Sequence, residues 1–210
     1  MVLTPSQLLT GYAQGVFPMA ESADDDRLYW FDPPLRGVLP IGAVHASHSL
    51  LRDLRKGGWS AHLDSDFSRM VAICADRDTT WINATLADLY DKLHRSGYAH
   101  AIEIRRNGDF AGAMFGVTLG AAFFGESMVS GQTNGSKMAL LWASNHLKRC
   151  GFTLFDTQFL TPHLARMGGS EIDRETYHEE LSSALKLKAD FKAAPLISAD
   201  QLWQDITQTS

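Results

Sequence analysis

Three short stretches carry side chains that could do chemistry. The run FFGESM ends an apolar segment on one carboxylate, Glu126, just before a loop of Gly, Gln, Thr, Asn and Ser. The run FTLFDTQF sets Asp156 and Gln158 two residues apart, so on a strand they share a face with Leu154. An acid and an amide in the core half of a domain are costly unless both find hydrogen-bond partners. They either cap a neighbouring helix or turn, or they form a site; spacing alone leaves both readings open, and Glu126 has the same alternative as a solvated strand end. In DFAGAMFGVTLG, Gly112, Gly116 and Gly120 thin one face around Met114, which suits either close helix packing or a groove with Met114 as adaptable lining. Arg52, Arg55 and Lys56 recur at helical spacing with His48 one turn earlier, a solvated face or an edge for a polynucleotide backbone. None of the eight His residues has metal-ligand spacing and no Cys pairs with them, so the sequence points to no metal. Cys150 ends a helix, where the negative dipole end disfavours a thiolate nucleophile.

The elements that must hold these residues follow from capping and periodicity. Thr4-Pro5-Ser6-Gln7 starts a helix with a capping box, and Gly15 ends it. GVFPMAESADDDRLYWFDPPLRGVLP reads as short strands in an irregular annex. Ser47 caps a short helix, WSAHLDS alternates like a strand, and DFSRMVAICAD is helical through Phe67, Met70, Val71 and Cys74. A helix beginning at Thr85 is followed by two strands around Asn107-Gly108, a type I′ hairpin signal, and by a third strand through AAFFGESM. SKMALLWASNHLKRCG is a helix, FTLFDTQF a strand, TPHLARMGG a short helix and RETYHEELSSALKLKA a final one. Helix, three antiparallel strands, helix, strand, helix is the order of the N-acetyltransferase-type (GNAT) α+β fold. The expected division is a small N-terminal α+β domain at 1–62, a GNAT-like domain at 63–190 and a C-terminal tail at 191–210. In acetyltransferases of that fold the coenzyme A pyrophosphate loop reads Gln/Arg-x-x-Gly-x-Gly/Ala; here Gln132 and Gly135 match, and Lys137 fails the third position by crowding the backbone approach.

Composition sets limits. A chain of 210 residues holds one sizeable domain, or one with an annex. The formal charge of −5 excludes nucleic-acid binding through bulk positive charge and leaves room for a small basic patch. Two Cys residues imply no disulfide framework. The start MVLTPSQLL lacks the basic onset and apolar core of a signal peptide, and no apolar run approaches the roughly 20 residues of a membrane span, so the expected compartment is the cytoplasm.

From about residue 4 to about 181 the chain resembles the leucyl/phenylalanyl-tRNA–protein transferase family. The resemblance rests on GYAQGVFPM, WFDPPLRGVLP, DTTWINATL, LHRSGYAHAIEI, GAMFGVTLGAAFFGESMVS, SKMALL and FDTQFLTPHLARMGG. It implies an enzyme that moves Leu or Phe from Leu-tRNA or Phe-tRNA to proteins with N-terminal Arg or Lys, marking them for degradation. It also implies a GNAT-like C-terminal domain using neither coenzyme A nor a metal, which accounts for the failed loop. Carried over residue by residue, the family's catalytic Asp and Gln fall on Asp156 and Gln158 and its strand-end Glu on Glu126. The apolar pocket for the transferred side chain falls on Met114, Phe123, Gly125, Leu140 and Phe155, and the terminal adenosine contact on Trp81. Met19 stands where many members have Trp, Gly131 where many have Arg, and the chain begins without the extension some members carry. Arg52, Arg55 and Lys56 are the expected tRNA-backbone contacts, and the protein is expected to act as a monomer off the membrane. Two rivals are an acyl-coenzyme A N-acetyltransferase and a non-catalytic adaptor that only holds basic N-termini.

Overall fold

The computed structural model describes residues 3–77 and 79–208. Helix α1 (Pro5–Ala13) carries the expected Thr4–Gln7 capping box. The short strands β1 (Phe17–Met19), β2 (Tyr29–Phe31) and β3 (Leu35–Val38) follow, then α2 (His48–Arg55), β4 (Trp59–Leu63) and α3 (Phe67–Ala75). Helix α4 (Ala84–Arg95) leads into β5 (Ala99–Arg106), β6 (Asp109–Leu119) and β7 (Ala122–Ser130); its side-chain cap is Asn83, so it begins one residue before Thr85. Next come α5 (Gly135–Arg149), β8 (Leu154–Gln158), α6 (Pro162–Arg166), β9 (Ser170–Asp173), α7 (Arg174–Leu185) and α8 (Ala199–Gln208). The expected order is present, with β9 and α8 added. Asn107 and Gly108 both take positive φ, as a type I′ turn requires, and join β5 to β6.

The result is a mixed α+β fold with a mostly antiparallel sheet flanked by helices. Seven strands run in the order β4-β5-β6-β7-β8-β3-β9, and of these neighbours only β7 and β8 are parallel. β1 and β2 form a separate ribbon. The main sheet takes strands from both sides of the division expected at residue 62, because β3 inserts between β8 and β9 while β4 forms an edge.

Strand alternation sorts the side chains into two cores. Phe123 and Phe155 point to the face covered by α5, α2 and α8, whereas Phe124 and Leu154 point to the face covered by α1, α3, α4 and α7. The segment 191–210, expected as a tail, contributes Phe191 and Leu202 to the first core, at 2% and 0% exposure. The apolar positions before α8, Phe191, Leu196 and Ile197 among them, follow no helix or strand period that would signal that packing. Gly112 of β6 serves close packing: a Cβ there would lie 2.6 Å from the backbone of Gly135, so its absence lets the start of α5 approach the sheet.

One feature of the sheet creates the site. The parallel pairing of β7 with β8 covers only Ala122–Phe124 against Leu154–Asp156. Beyond Phe124 and Asp156 no ladder joins the two strands, and the space between them opens.

Candidate active site

The cavity at that opening measures about 300 Å³. Its apolar wall takes Met114 from β6, Gly125 from β7, Leu140 from α5 and Phe155 from β8. These four belong to the α5 side of the sheet, and a Cβ on Gly125 would meet the Phe155 ring at 3.1 Å, so the glycine keeps the wall open. Its polar wall takes Glu126 from β7 and Gln158 from the end of β8, each beside a shift in strand register, at Glu126 against β6 and at Thr157 against β3. Met19 and Trp81 also line it, as does Arg77, which donates to the Ser127 hydroxyl and the Met128 carbonyl.

Glu126 is 6% exposed and fully engaged. Its Oε1 accepts from the Tyr12 hydroxyl at 2.7 Å, and its Oε2 accepts from the Tyr90 hydroxyl at 2.8 Å and from Gln158 Nε2 at 3.0 Å. Burial pushes its carboxyl up to about 7 against the three hydrogen bonds that hold it down, and the Asp156 charge adds to the rise. Burial, and then the Glu126 charge, raises both phenols, so Tyr12 and Tyr90 stay protonated donors.

Asp156 lies behind the cavity at 0% exposure. Arg36, from β3, forms a two-pronged ion pair with it at 2.9 and 2.6 Å. Tyr177 of α7 donates to Oδ2 at 2.8 Å, and the backbone N–H of Gln158 donates to Oδ1 at 2.7 Å. Arg36 also donates to the Gly15 carbonyl at 3.0 Å and lies between the rings of Phe17 and Tyr177. Burial opposes the guanidinium charge, but the hydrogen bonds and charge of Asp156 outweigh it and raise Arg36 above its ordinary value. Gln158 has φ of +65°, a left-handed conformation that costs a non-glycine residue about 1 kcal/mol. The bond from its N–H to Asp156 holds that turn. The acid therefore fixes the backbone of Gln158, while Glu126 fixes its amide. Among the described residues none donates to Gln158 Oε1.

The cavity thus gathers Met19, Trp81, Met114, Gly125, Glu126, Leu140, Phe155 and Gln158. Phe123 is not on its wall; it is 1% exposed and supports the Phe155 ring edge-on at 5.2 Å. Arg52, Arg55 and Lys56 are exposed on or next to α2 and do not reach the cavity, and Arg55 covers the Trp203 ring at 5.3 Å. The sequence reading missed Arg36, Tyr12, Tyr90 and Tyr177. The signals were a charged residue inside the apolar strand LRGV and tyrosines on the apolar faces of helices, since a buried Arg needs a carboxylate and a buried phenol needs a partner. Asp64, His94 and His100 bring ligand atoms within 4.8 Å of one another. Each is already committed: His100 to Asp64 at 2.8 Å, His94 to the Ala99 carbonyl at 2.8 Å, and Asp64 also to the Lys192 ammonium at 3.3 Å. Cys150 is buried, which pushes its thiol up and away from nucleophile chemistry.

Residues 38–182 match the family model described as leucyl/phenylalanyl-tRNA protein transferase, and residues 1–34 match the model of that family's N-terminal domain. A leucyl/phenylalanyl-tRNA–protein transferase from Paracoccus denitrificans (strain Pd 1222) is 57% identical over 208 residues, covering 99% of this chain and 98% of that one. One from Dinoroseobacter shibae (strain DSM 16493 / NCIMB 14021 / DFL 12) is 55% identical over 92% of this chain and 87% of that one. One from Ruegeria pomeroyi (strain ATCC 700808 / DSM 15171 / DSS-3) is 48% identical over the full length of both. Among solved structures, a DUF2156 domain from Agrobacterium fabrum aligns with 85% of this chain and 62% of that chain at 12% identity and a TM-score of 0.42, a likeness too loose to carry an argument.

Proposed function

The chain belongs to the leucyl/phenylalanyl-tRNA protein transferase family, and from that premise we propose that it moves Leu or Phe from aminoacyl-tRNA onto proteins with N-terminal Arg or Lys. A peptide bond forms, and the new N-terminal residue acts as a degradation signal. The observation that carries this reading is that an apolar wall and a proton-handling wall meet in one cavity.

The chemistry asks little of the protein. The ester of aminoacyl-tRNA is already activated, and the acceptor's α-amine is the nucleophile, so the site must align the two and handle one proton. Met114, Gly125, Leu140 and Phe155 hold the Leu or Phe side chain, with Phe123 stiffening that wall from behind. Gln158 presents its free carbonyl oxygen to the amine. Trp81, and Met19 where many relatives have Trp, cover the terminal adenosine by apolar contact. Arg52, Arg55 and Lys56 meet the tRNA backbone farther along the surface, and an acid at the site favours a basic acceptor. The reaction needs no coenzyme A and no metal.

The strand order and the parting of β7 from β8 support a GNAT-like main domain, with the N-terminal residues up to 62 as a partly separate α+β unit and 63–190 as the transferase domain. The protein works as a monomer in the cytoplasm; among the described residues no helix is long and apolar enough to cross a membrane. Radiolabelled Leu-tRNA and an Arg-initiated peptide, with and without ribonuclease, test the reading. Label entering the peptide only while the RNA is intact is the expected result. Peptide binding without transfer would leave an adaptor instead, and transfer that ignores ribonuclease would sink the tRNA donor.

A further inference from the structure

Two acids flank the amide that meets the amine, and the geometry separates their roles. Both oxygens of Asp156 are committed: Oδ1 to Arg36 Nε and the Gln158 N–H, Oδ2 to Arg36 Nη2 and the Tyr177 hydroxyl. None of its bonds reaches the Gln158 side chain, and it does not line the cavity. Glu126 does line the cavity, and its Oε2 accepts from Gln158 Nε2 at 3.0 Å. An amide bonded in this way is a two-ended wire, with the free Oε1 at one end and the carboxylate at the other.

We propose that Glu126, joined to the reacting amine through the amide of Gln158, is the proton acceptor of the transfer, and that Asp156 is a positioning residue paired with Arg36. This deepens the proposed aminoacyl transfer and rests on it. The amine nitrogen attacks the ester carbonyl carbon and the C–N bond forms. One amine proton passes to Gln158 Oε1 while Nε2–H gives its own to Glu126 Oε2, leaving an imidic acid beside a neutral carboxyl. Both shifts then reverse as the bond from carbon to the ribose oxygen breaks, and that oxygen takes the proton. One amine hydrogen stays on the new peptide nitrogen, one ends on the ribose hydroxyl, and nothing is oxidised or reduced.

The surroundings of Glu126 suit an acceptor that must hold a proton briefly. Tyr12 from α1 and Tyr90 from α4 donate to it, Gln158 from β8 donates to it, Asp156 from β8 repels its charge, and Arg36 from β3 lies close enough to feel it. Its titration near 7 leaves it both ionised and ready to accept at neutral pH. Tyr12 and Tyr90 are then positioning residues that favour the anion.

The test is the pH profile of single-turnover transfer from saturating Leu-tRNA to a saturating Arg-initiated peptide, from about pH 5.5 to 8. Wild type, Tyr12→Phe, Tyr90→Phe and Glu126→Gln are compared, with a thermal midpoint for each. Loss of a phenol donor makes the anion less favourable, so each Phe variant moves the acid limb upward by about one pH unit. Glu126→Gln slows transfer about 10²–10³-fold and keeps only the limb at about 7.7–8 that deprotonation of the acceptor's own α-amine imposes. A limb unmoved in both Phe variants, even with lowered thermal midpoints, overturns the proposal by reducing the phenols to packing. Wild-type rates in Glu126→Gln overturn it too. Absence of transfer by the wild-type chain overturns instead the aminoacyl-transfer reading on which it rests.

Discussion

Glu126→Gln has a second consequence, on stability, whose sign and size follow from the burial of one carboxyl. In the native protein this group titrates at about 7 against an ordinary value of 4.5. Below about pH 4.5 it is protonated in both states and its charge costs nothing. Between the two values the unfolded chain ionises while the native one keeps its proton, so native stability falls as pH rises. Above about 7 both states are ionised and the full cost of the buried charge is present. Integrating from pH 5 to pH 8 gives about 2–3 kcal/mol of stability lost by the wild type. Gln at this position does not titrate, and whatever it costs by mispairing with Tyr12, Tyr90 or Gln158 is the same at both pH values. The effect of the substitution should therefore become more favourable by about 2–3 kcal/mol between pH 5 and pH 8. Urea unfolding of both proteins at the two pH values reads this as a change in midpoint at constant m. An effect of the substitution that is the same at pH 5 and pH 8 would refute the reasoning, since it would mean that Glu126 titrates alike folded and unfolded.

Arg36→Met should destabilise the fold by about 3–5 kcal/mol, because it leaves the fully buried Asp156 charge unpaired; combining it with Asp156→Asn should cost less than the sum of the singles in the same urea assay. Met114→Ala should lower kcat/KM for Leu transfer by about 1–3 kcal/mol and change the Leu-to-Phe ratio, whereas loss of thermal stability with an unchanged ratio would make Met114 mere core. Arg52→Ala with Arg55→Ala should raise the tRNA KM more than it lowers kcat and flatten its salt dependence; an unchanged KM would remove that face of α2 from the interface.

Much of the frame was legible because its signals are local. Asn107-Gly108 dictates a hairpin from two residues, and the Thr4–Gln7 box dictates a helix start from four. Glu126, Asp156 and Gln158 stood out as polar groups in apolar strands, and the structure puts Glu126 and Gln158 on the cavity wall with Asp156 behind them. What could not be read is what depends on strand order. Nothing local says that β3 inserts between β8 and β9, so nothing pairs Arg36 with Asp156 across 120 positions. Tyr12 and Tyr90 looked like ordinary helix-face aromatics until the sheet brought Glu126 beneath both. The packing of Phe191 was hidden for a related reason: it stands in irregular chain before α8 and belongs to no helical or strand period, whereas Leu202 and Ile206 stand four apart in α8. The glycines of β6 were ambiguous between groove and close packing; Gly112 admits α5, while Met114 two residues on lines the cavity.

The distance in sequence between the partners also bears on how a newly made chain becomes competent. Tyr12 waits for Glu126, and Arg36 for both Asp156 and Tyr177, so the first fifth of the protein holds groups whose partners are made only in the second half of synthesis. Until then the guanidinium stays in water, because burying it unpaired costs several kcal/mol. Insertion of β3 beside β8 must follow the emergence of β8, and such long-range closure is slow. The strands β5, β6 and β7 are joined by short local connections and can form during translation. The seam around β3, with β8 on one side and β9 on the other, is then the last part of the sheet to close, and an amino-terminal fragment of any length short of β8 has nowhere to put its buried arginine.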